Sequence, residues 1–258
     1  MRAPRLRTLA VDVIPPLLIV GLLVAAWESL PSFGVNTRVI PPPSLVLATL
    51  ADKAGVYADN LMTTLSEMVI GFALGLVVGL AVAFATVYSS IGRRVIAPFV
   101  VTSQTIPVIA LAPLLVILFG VGIEPRAIIV TLGVFFPIAL NTAAGLRSAD
   151  REIVNLLKSF GADRRAIFRS VELPSALPYI FTGVQIGVTY SVIGAVVAEW
   201  VGSGEGLGKL MLLRQSALGI ELSYGAVVLT AIVALVLFGT VLLIRRRVMP
   251  WETRDAGG

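Results

Sequence analysis

Six apolar runs set the outer limits on what this chain can fold into. They extend from Val11 to Leu30, Thr64 to Tyr88, Ile96 to Val121, Ala127 to Leu146, Leu177 to Val197 and Ala226 to Ile244. A hydrocarbon core about 30 Å thick is crossed by about 20 residues of helix, and each run meets or approaches that length. Inside lipid no water can satisfy the backbone, so each run is expected to be a helix with internal hydrogen bonds. Only 14% of the residues are charged and 57% are hydrophobic, against about 25% charged in ordinary soluble domains. The expected class is all-α: a polytopic membrane protein with six transmembrane helices, residues 1–258 forming one membrane domain.

The positive charges fix which way the runs are threaded. If the N-terminus is cytoplasmic, the inside segments hold Arg2, Arg5, Arg7, Arg93, Arg94, Arg147, Arg151, Lys158, Arg164, Arg165, Arg169, Arg245, Arg246, Arg247 and Arg254. The outside segments hold Arg38, Lys53, Arg126, Lys209 and Arg214. Fifteen of the twenty Lys and Arg residues therefore fall on one side, and that excess marks the cytoplasm. An even number of spans brings both termini to that side. The net charge of +5 thus reads as a topology signal, and no nucleic-acid partner is expected. Met1–Arg7 looks like the start of a signal peptide, with Ala25-Ala26 as a cleavage point. The apolar run that follows exceeds the usual core of about 7 to 15 residues, and removing it would leave an odd number of spans. An uncleaved first helix is expected.

The chain has no cysteine and no histidine. Disulfides and thiolate metal sites are excluded, as are the commonest general base and metal ligand. The segment Gly202–Lys209 imitates a phosphate loop, but such a loop needs a glycine separated by four residues from its Gly-Lys pair and a Ser or Thr after it. Ser203 and Leu210 occupy those places, so an external turn is expected instead. Glu199, just before it, reads as a satisfied interfacial carboxylate or as part of an outer gate. Ile40-Pro41-Pro42-Pro43-Ser44 forms an extended arm, since proline denies helix, with Ser44 the expected N-cap of a short helix through Lys53.

Residues 155 to 174, NLLKSFGADRRAIFRSVELP, carry an apolar stripe inside the most basic internal loop. Ile153, Leu156, Leu157 and Phe160 recur at helical spacing. Gly161 suits the left-handed closure of one helix, Asp163 the cap of a second, and Pro174 its end. The apolar face of the second helix would be Ile167, Phe168 and Val171. Such a pair could dock on a partner protein, or lie on lipid headgroups. Gly71, Gly75, Gly79 and Ala83 form a small-residue stripe, as do Gly183, Gly187, Ser191 and Ala195. Both suit close helix packing. The amides Gln104, Asn141 and Gln185 stand inside apolar runs. They either bond neighbouring helices or line a substrate path. Pro107 and Pro113 are expected to interrupt the third helix and Pro137 the fourth, and irregular backbone at that depth is tolerated around a cavity.

The loop resembles the cytoplasmic signature of ABC-importer permeases: Glu-Ala-Ala, three residues, Gly, nine residues, Ile, one residue, Leu-Pro. Gly161, Val171, Leu173 and Pro174 match that spacing, while Asn155-Leu156-Leu157 replaces Glu-Ala-Ala. Ile40–Ser44, Thr64-Leu65 with Gly71-Phe72, Ile106-Pro107 with Leu111–Leu114, and Ala198–Gly202 with Gly206–Gly208 are similar to the branch that handles nitrate, sulfonates, taurine and pyrimidine precursors. The resemblance implies a permease subunit, not an enzyme, in a bacterial inner membrane. Its implied partners are two ATPase subunits, a second identical or homologous permease, an extracytoplasmic solute-binding protein and membrane lipid. It implies no cofactor bound by this chain, ATP being used by the ATPase. Asn155, Leu156, Leu157, Phe160, Gly161, Ala162, Asp163 and Arg164 would form the coupling segment. Gln104, Asn141 and Gln185 are the pathway candidates. No basic residue sits centrally in a run, which favours a neutral or zwitterionic heterocycle over an anion. The rival reading, an ion-coupled secondary transporter, would normally place ionisable residues at mid-membrane.

Overall fold

The computed structural model describes residues 4–202, 204–212 and 219–251, with residues 4–13 as helix alone. Arg2, Ser203, Arg214 and Arg254 lie outside the described residues. Every regular element among the described residues is helical. In order they are α1 (Pro4–Ser29), α2 (Pro43–Asp52), α3 (Ala54–Tyr88), α4 (Ala97–Ser103), α5 (Val108–Phe119), α6 (Ile123–Arg147), α7 (Arg151–Ser159), α8 (Arg164–Ile167), α9 (Leu173–Gly202), α10 (Leu207–Leu212) and α11 (Ile220–Val248). A 3-10 turn, Leu30–Phe33, follows α1, a π-helical turn, Gly92–Ile96, precedes α4, and another, Phe168–Glu172, joins α8 to α9. Among the described residues five helices are long and apolar enough to cross a membrane, and there are six such spans when the α4–α5 pair counts as one.

That pair bends by 95° between Ser103 and Val108, so the third run is not one helix. Its topology follows from the neighbours. Gly71, Gly75 and Gly79 of α3 meet Val130, Val134 and Ile138 of α6 in the same order along both helices. Glu67 is ion-paired with Arg126 toward one end, and Arg147 donates to the Thr86 carbonyl (3.5 Å) at the other. Hence α3 and α6 run parallel, and the segment between them must cross the whole layer. The bent pair is therefore a broken span and not a re-entrant loop.

Helix α6 is the axis of the bundle. The small-residue stripe of α3 lies on one side of it and that of α9 on another. A Cβ on Gly75 would stand 2.7 Å from Val134 Cβ, and one on Gly183 would stand 2.8 Å from the Pro137 carbonyl oxygen. Glycine is needed there because the backbones approach too closely for a side chain, the packing mode of helices in lipid. Met68, Val130, Val134, Ile138, Val192 and Ala195 fill the core between the three helices. Helix α9 runs antiparallel to α6, since Ala176 meets Gly145 while Gly194 meets Val130. Helix α11 starts beside the start of α3, where Tyr57 donates to the Leu222 carbonyl at 3.0 Å. Trp27, near the end of α1, reaches the same region by donating to the Pro41 carbonyl (3.0 Å) and packing against Tyr224. Thus α1 begins, and α11 finishes, at the bundle end that carries the basic loop.

Three local expectations are corrected. Ser44 does not cap α2, whose N-cap is Pro42. Ser44 lies inside the first turn, and its N–H and hydroxyl donate to Glu28 at 3.0 and 2.6 Å, so a carboxylate from α1 satisfies that helix start. Pro113 and Pro137 sit within continuous helices, and only the Gln104–Pro107 stretch breaks one. Pro174 does not end a helix either. Arg164–Gly202 is one helical span of 39 residues. Its ladder shifts across the π turn, where the Leu173 N–H bonds the Phe168 carbonyl, and the missing proline donor is absorbed there.

Candidate functional site

The internal loop builds one free-standing helix. Asp150 caps α7 by accepting from the N–H groups of Glu152 (2.8 Å) and Ile153 (3.4 Å). At the other end Gly161 takes φ +77°. Its N–H bonds the Lys158 carbonyl and the Ala162 N–H bonds the Leu157 carbonyl, both at 3.0 Å. This paired closure satisfies the last carbonyls of the helix. Asp163 accepts from the Ala166 N–H at 2.7 Å and starts α8. Yet no residue of α7 is buried. Ile153, Leu156 and Phe160 are 47%, 55% and 80% exposed, and Leu157 is half-buried. The helix is well terminated, and its apolar stripe has no cover among the described residues. Arg164 differs from the rest of the segment, because its guanidinium lies 5.1 Å above the Tyr88 ring, facing α3.

The second feature is a cavity of about 430 Å³ at the α4–α5 break. Gln104, Pro107, Val108 and Ile109 line it from the broken span, with Gly133, Phe136, Pro137 and Asn141 from α6 and Ile186, Tyr190 and Ile193 from α9. Gln104 and Asn141 are thus brought together. Gln185 is not among the lining residues, and its amide oxygen accepts from Arg245 at 3.4 Å, which ties α9 to α11. The chemistry of the wall is mixed. Pro137 has no N–H, so the Gly133 carbonyl lacks its helical donor. Val108 and Ile109 open α5, whose first N–H groups have no helical acceptor. Asn141 spends its amide nitrogen on the Pro137 carbonyl (2.7 Å), which leaves an amide oxygen. No lining residue carries a charge.

A third cluster lies at the end opposite the basic loop. Glu199 is fully buried. It accepts from the Thr64 hydroxyl at 2.6 Å and the Gly208 N–H at 2.5 Å. Thr64 in turn accepts from the Leu207 N–H (2.9 Å), and Asn60 accepts from the Gly206 N–H (2.6 Å). The start of α10 is therefore capped by side chains of α3 and α9. Beside it Glu67, also fully buried, pairs with Arg126. Glu199 is singled out from sequence and Thr64 only as part of a family motif, while Asn60, Glu67 and Arg126 carry no functional expectation there. Their signal was faint: isolated polar residues at the edges of apolar runs, with partners more than 50 positions away. Asp150, a single Asp before the stripe, was the more readable omission.

Long apolar helices packed through small residues, a broken span around a cavity of mixed lining and an exposed capped helix outside the bundle define a multi-pass membrane protein. The comparisons place it. Residues 71–251 match the family described as binding-protein-dependent transport system inner membrane component, and the chain belongs to that family. It is a membrane permease component of an ABC transport system, not an enzyme. It is 35% identical over 234 residues to the riboflavin transport system permease protein RibX of Chloroflexus aurantiacus, covering 90% of this chain and 87% of that one. It is 28% identical over 252 residues to the taurine transport system permease protein TauC of Escherichia coli, covering 95% and 90%. A crystal structure of an amino acid ABC transporter with histidines shares the fold at TM-score 0.65 and 17% identity, covering 78% of this chain and 97% of that one.

Proposed function

We propose that this permease forms half of the pore of an ATP-driven importer and that α7 is its contact with the motor. In this reading two ATPase subunits each receive one α7 knob in a surface groove. A second permease, identical or homologous, completes the pore, and an extracytoplasmic binding protein delivers the solute. The loop from Arg147 to Val171 and both termini are cytoplasmic. ATP is bound and used by the ATPase. Alternating access follows: ATP closes the motor, the knobs move, and the bundles rock between two states whose balance the nucleotide sets.

The observation that carries this reading is the exposure of Ile153, Leu156 and Phe160 on a helix capped at both ends. A helix-in-groove contact needs such a stripe. The test is co-purification of the ATPase with Leu156→Asp or Phe160→Asp. A charge forced into an apolar groove costs several kcal/mol, so the complex should dissociate while the permease stays folded. Retention of both the complex and uptake would return α7 to the lipid surface.

The cavity at Gln104 and Asn141 is the proposed solute path. Its wall offers donors, acceptors and two aromatic rings, Phe136 and Tyr190, without side-chain charge. An anion there would have no counter-charge among the described lining residues, which supports a small uncharged or zwitterionic heterocycle. Riboflavin, a heterocycle, and taurine, an acyclic zwitterion that bears a sulfonate, are the solutes named for the two relatives and stand on opposite sides of the choice between a heterocycle and a solute with an anionic group. Competition of each against uptake by the assembled transporter separates them.

A further inference from the structure

The joint between α7 and the membrane is built from two distant stretches of chain. On one side is the continuous rod Arg164–Gly202, which contains α8, the π turn and α9. On the other is the last turn of α3. The Tyr88 hydroxyl donates to Glu172 Oε2 at 2.5 Å, and Glu172 is the last residue of the π turn. The Arg164 guanidinium covers the face of the same ring at 5.1 Å. Phe168, which opens the π turn, packs on Phe84 and Tyr88 with ring centroids 6.0 and 6.4 Å apart. Phe84 and Tyr88 stack on each other at 6.1 Å. Tyr88 is thus gripped by its hydroxyl and by its ring, and its three partners lie before, at the start of and at the end of the π turn.

A π turn is a local widening of the helix ladder and a natural place for a rod to yield. A push on α7 passes first into α8, which lies on the far side of that turn from α9. Without a brace the turn would flex and the push would be lost. With Tyr88 in place, α8, the turn and the end of α3 are held as one body. We propose that Tyr88, with Arg164, Phe168 and Glu172, is the transmission joint that carries movement of α7 into α3 and α9 together. Tyr88 is a positioning residue here: it touches neither the motor nor the solute. Arg164 acts inward in this scheme, on Tyr88, and not outward on the ATPase. The inference rests on the reading that α7 docks the motor.

The test uses the assembled transporter in proteoliposomes and the absence of cysteine in this chain. Ile106→Cys places a single reporter on the cavity wall. Its labelling rate with an impermeant maleimide is measured with and without ATP plus vanadate, together with ATP hydrolysis and thermal stability. Tyr88→Phe removes the hydrogen bond and keeps the rings, and Tyr88→Leu removes both. Hydrolysis should continue in both variants. The nucleotide-dependent change in labelling should shrink about tenfold in Tyr88→Phe, the size of one charge-assisted hydrogen bond, and further in Tyr88→Leu. Glu172→Gln, which keeps an acceptor for the phenol, should retain most of the response. A full response in Tyr88→Leu overturns the joint. So does a response that falls only in step with hydrolysis and melting temperature, because that is the mark of a structural residue. If the reporter in an otherwise unchanged chain ignores ATP and vanadate, the transport reading fails and the joint falls with it.

Discussion

Thr64→Val probes the polar cluster that ties α10 to the bundle. The Thr64 hydroxyl donates to Glu199 at 2.6 Å and accepts from the Leu207 N–H at 2.9 Å, all three groups being buried. Valine keeps the shape and removes both bonds, leaving a carboxylate one donor short and a backbone N–H without an acceptor. Each unpaired buried group costs about 1–3 kcal/mol, so the expected destabilisation for the two is about 2 to 6 kcal/mol. For a chain of this size that corresponds to a melting shift of roughly 4 to 24 °C, read by thermal unfolding of the purified protein in detergent. Thr63→Val is the control, because its hydroxyl donates to the Asp59 carbonyl within its own helix. Glu199→Gln replaces an acceptor with a second donor facing Thr64 or the Gly208 N–H. Since it disturbs the same network, Thr64→Val and Glu199→Gln together should cost less than their sum, with a coupling of about 0.5–3 kcal/mol. Additive effects, or a Thr64→Val shift no larger than that of the control, would show that the cluster does not hold the loop.

The remaining expectations concern packing, sidedness and the solute path. Gly75→Val should lower stability by at least about 1–3 kcal/mol through overpacking, since even a Cβ would stand 2.7 Å from Val134 Cβ and 2.9 Å from the Thr131 carbonyl oxygen; normal expression and melting would contradict the α3–α6 register. Ser170→Cys, exposed in the π turn, should react with an impermeant reagent in inside-out vesicles and stay unlabelled in intact cells. The opposite pattern would invert the topology. Gln104→Leu and Asn141→Leu should impair uptake while the complex remains assembled, and normal uptake by both variants across solute concentrations would remove the cavity from the path. Gln185→Leu should instead lower stability first, because its amide oxygen meets Arg245.

The spans were legible because lipid imposes one rule on every residue in a run, and the rule leaves a mark as long as the run itself. The same rule hid the ends. Helix α3 begins ten residues before its apolar run, at Ala54 instead of Thr64, because its first turns are held by Tyr57 against Leu222 and Ala226, a contact 165 positions apart. The break at Pro107 and the continuity through Pro113, Pro137 and Pro174 look alike in sequence. They differ in whether the neighbouring backbone can shift its ladder or fill the gap, and that is decided by packing.

The knob and the buried cluster show where such reading stops. Helix α7 is a local object: an Asp cap, a stripe at helical spacing and a left-handed glycine all lie within about a dozen residues, so its shape follows from its own sequence. Its apolar face is left exposed instead of being packed into the bundle, which is why it stays visible as a stripe. The Glu199 cluster is the reverse. Asn60, Thr64, Glu67, Arg126 and the glycines from Gly206 to Gly208 are unremarkable one at a time. Only when α3, α6 and α9 are aligned do two carboxylates, one guanidinium and a helix start meet in a space closed to water. The Tyr88 joint belongs to the same kind, since nothing near Tyr88 in sequence announces Arg164 or Glu172. A capped, exposed helix such as α7 is written locally because its shape needs only its own residues, whereas clusters that join α3, α6, α9 and α10 are written across the fold because their groups meet only when those segments pack.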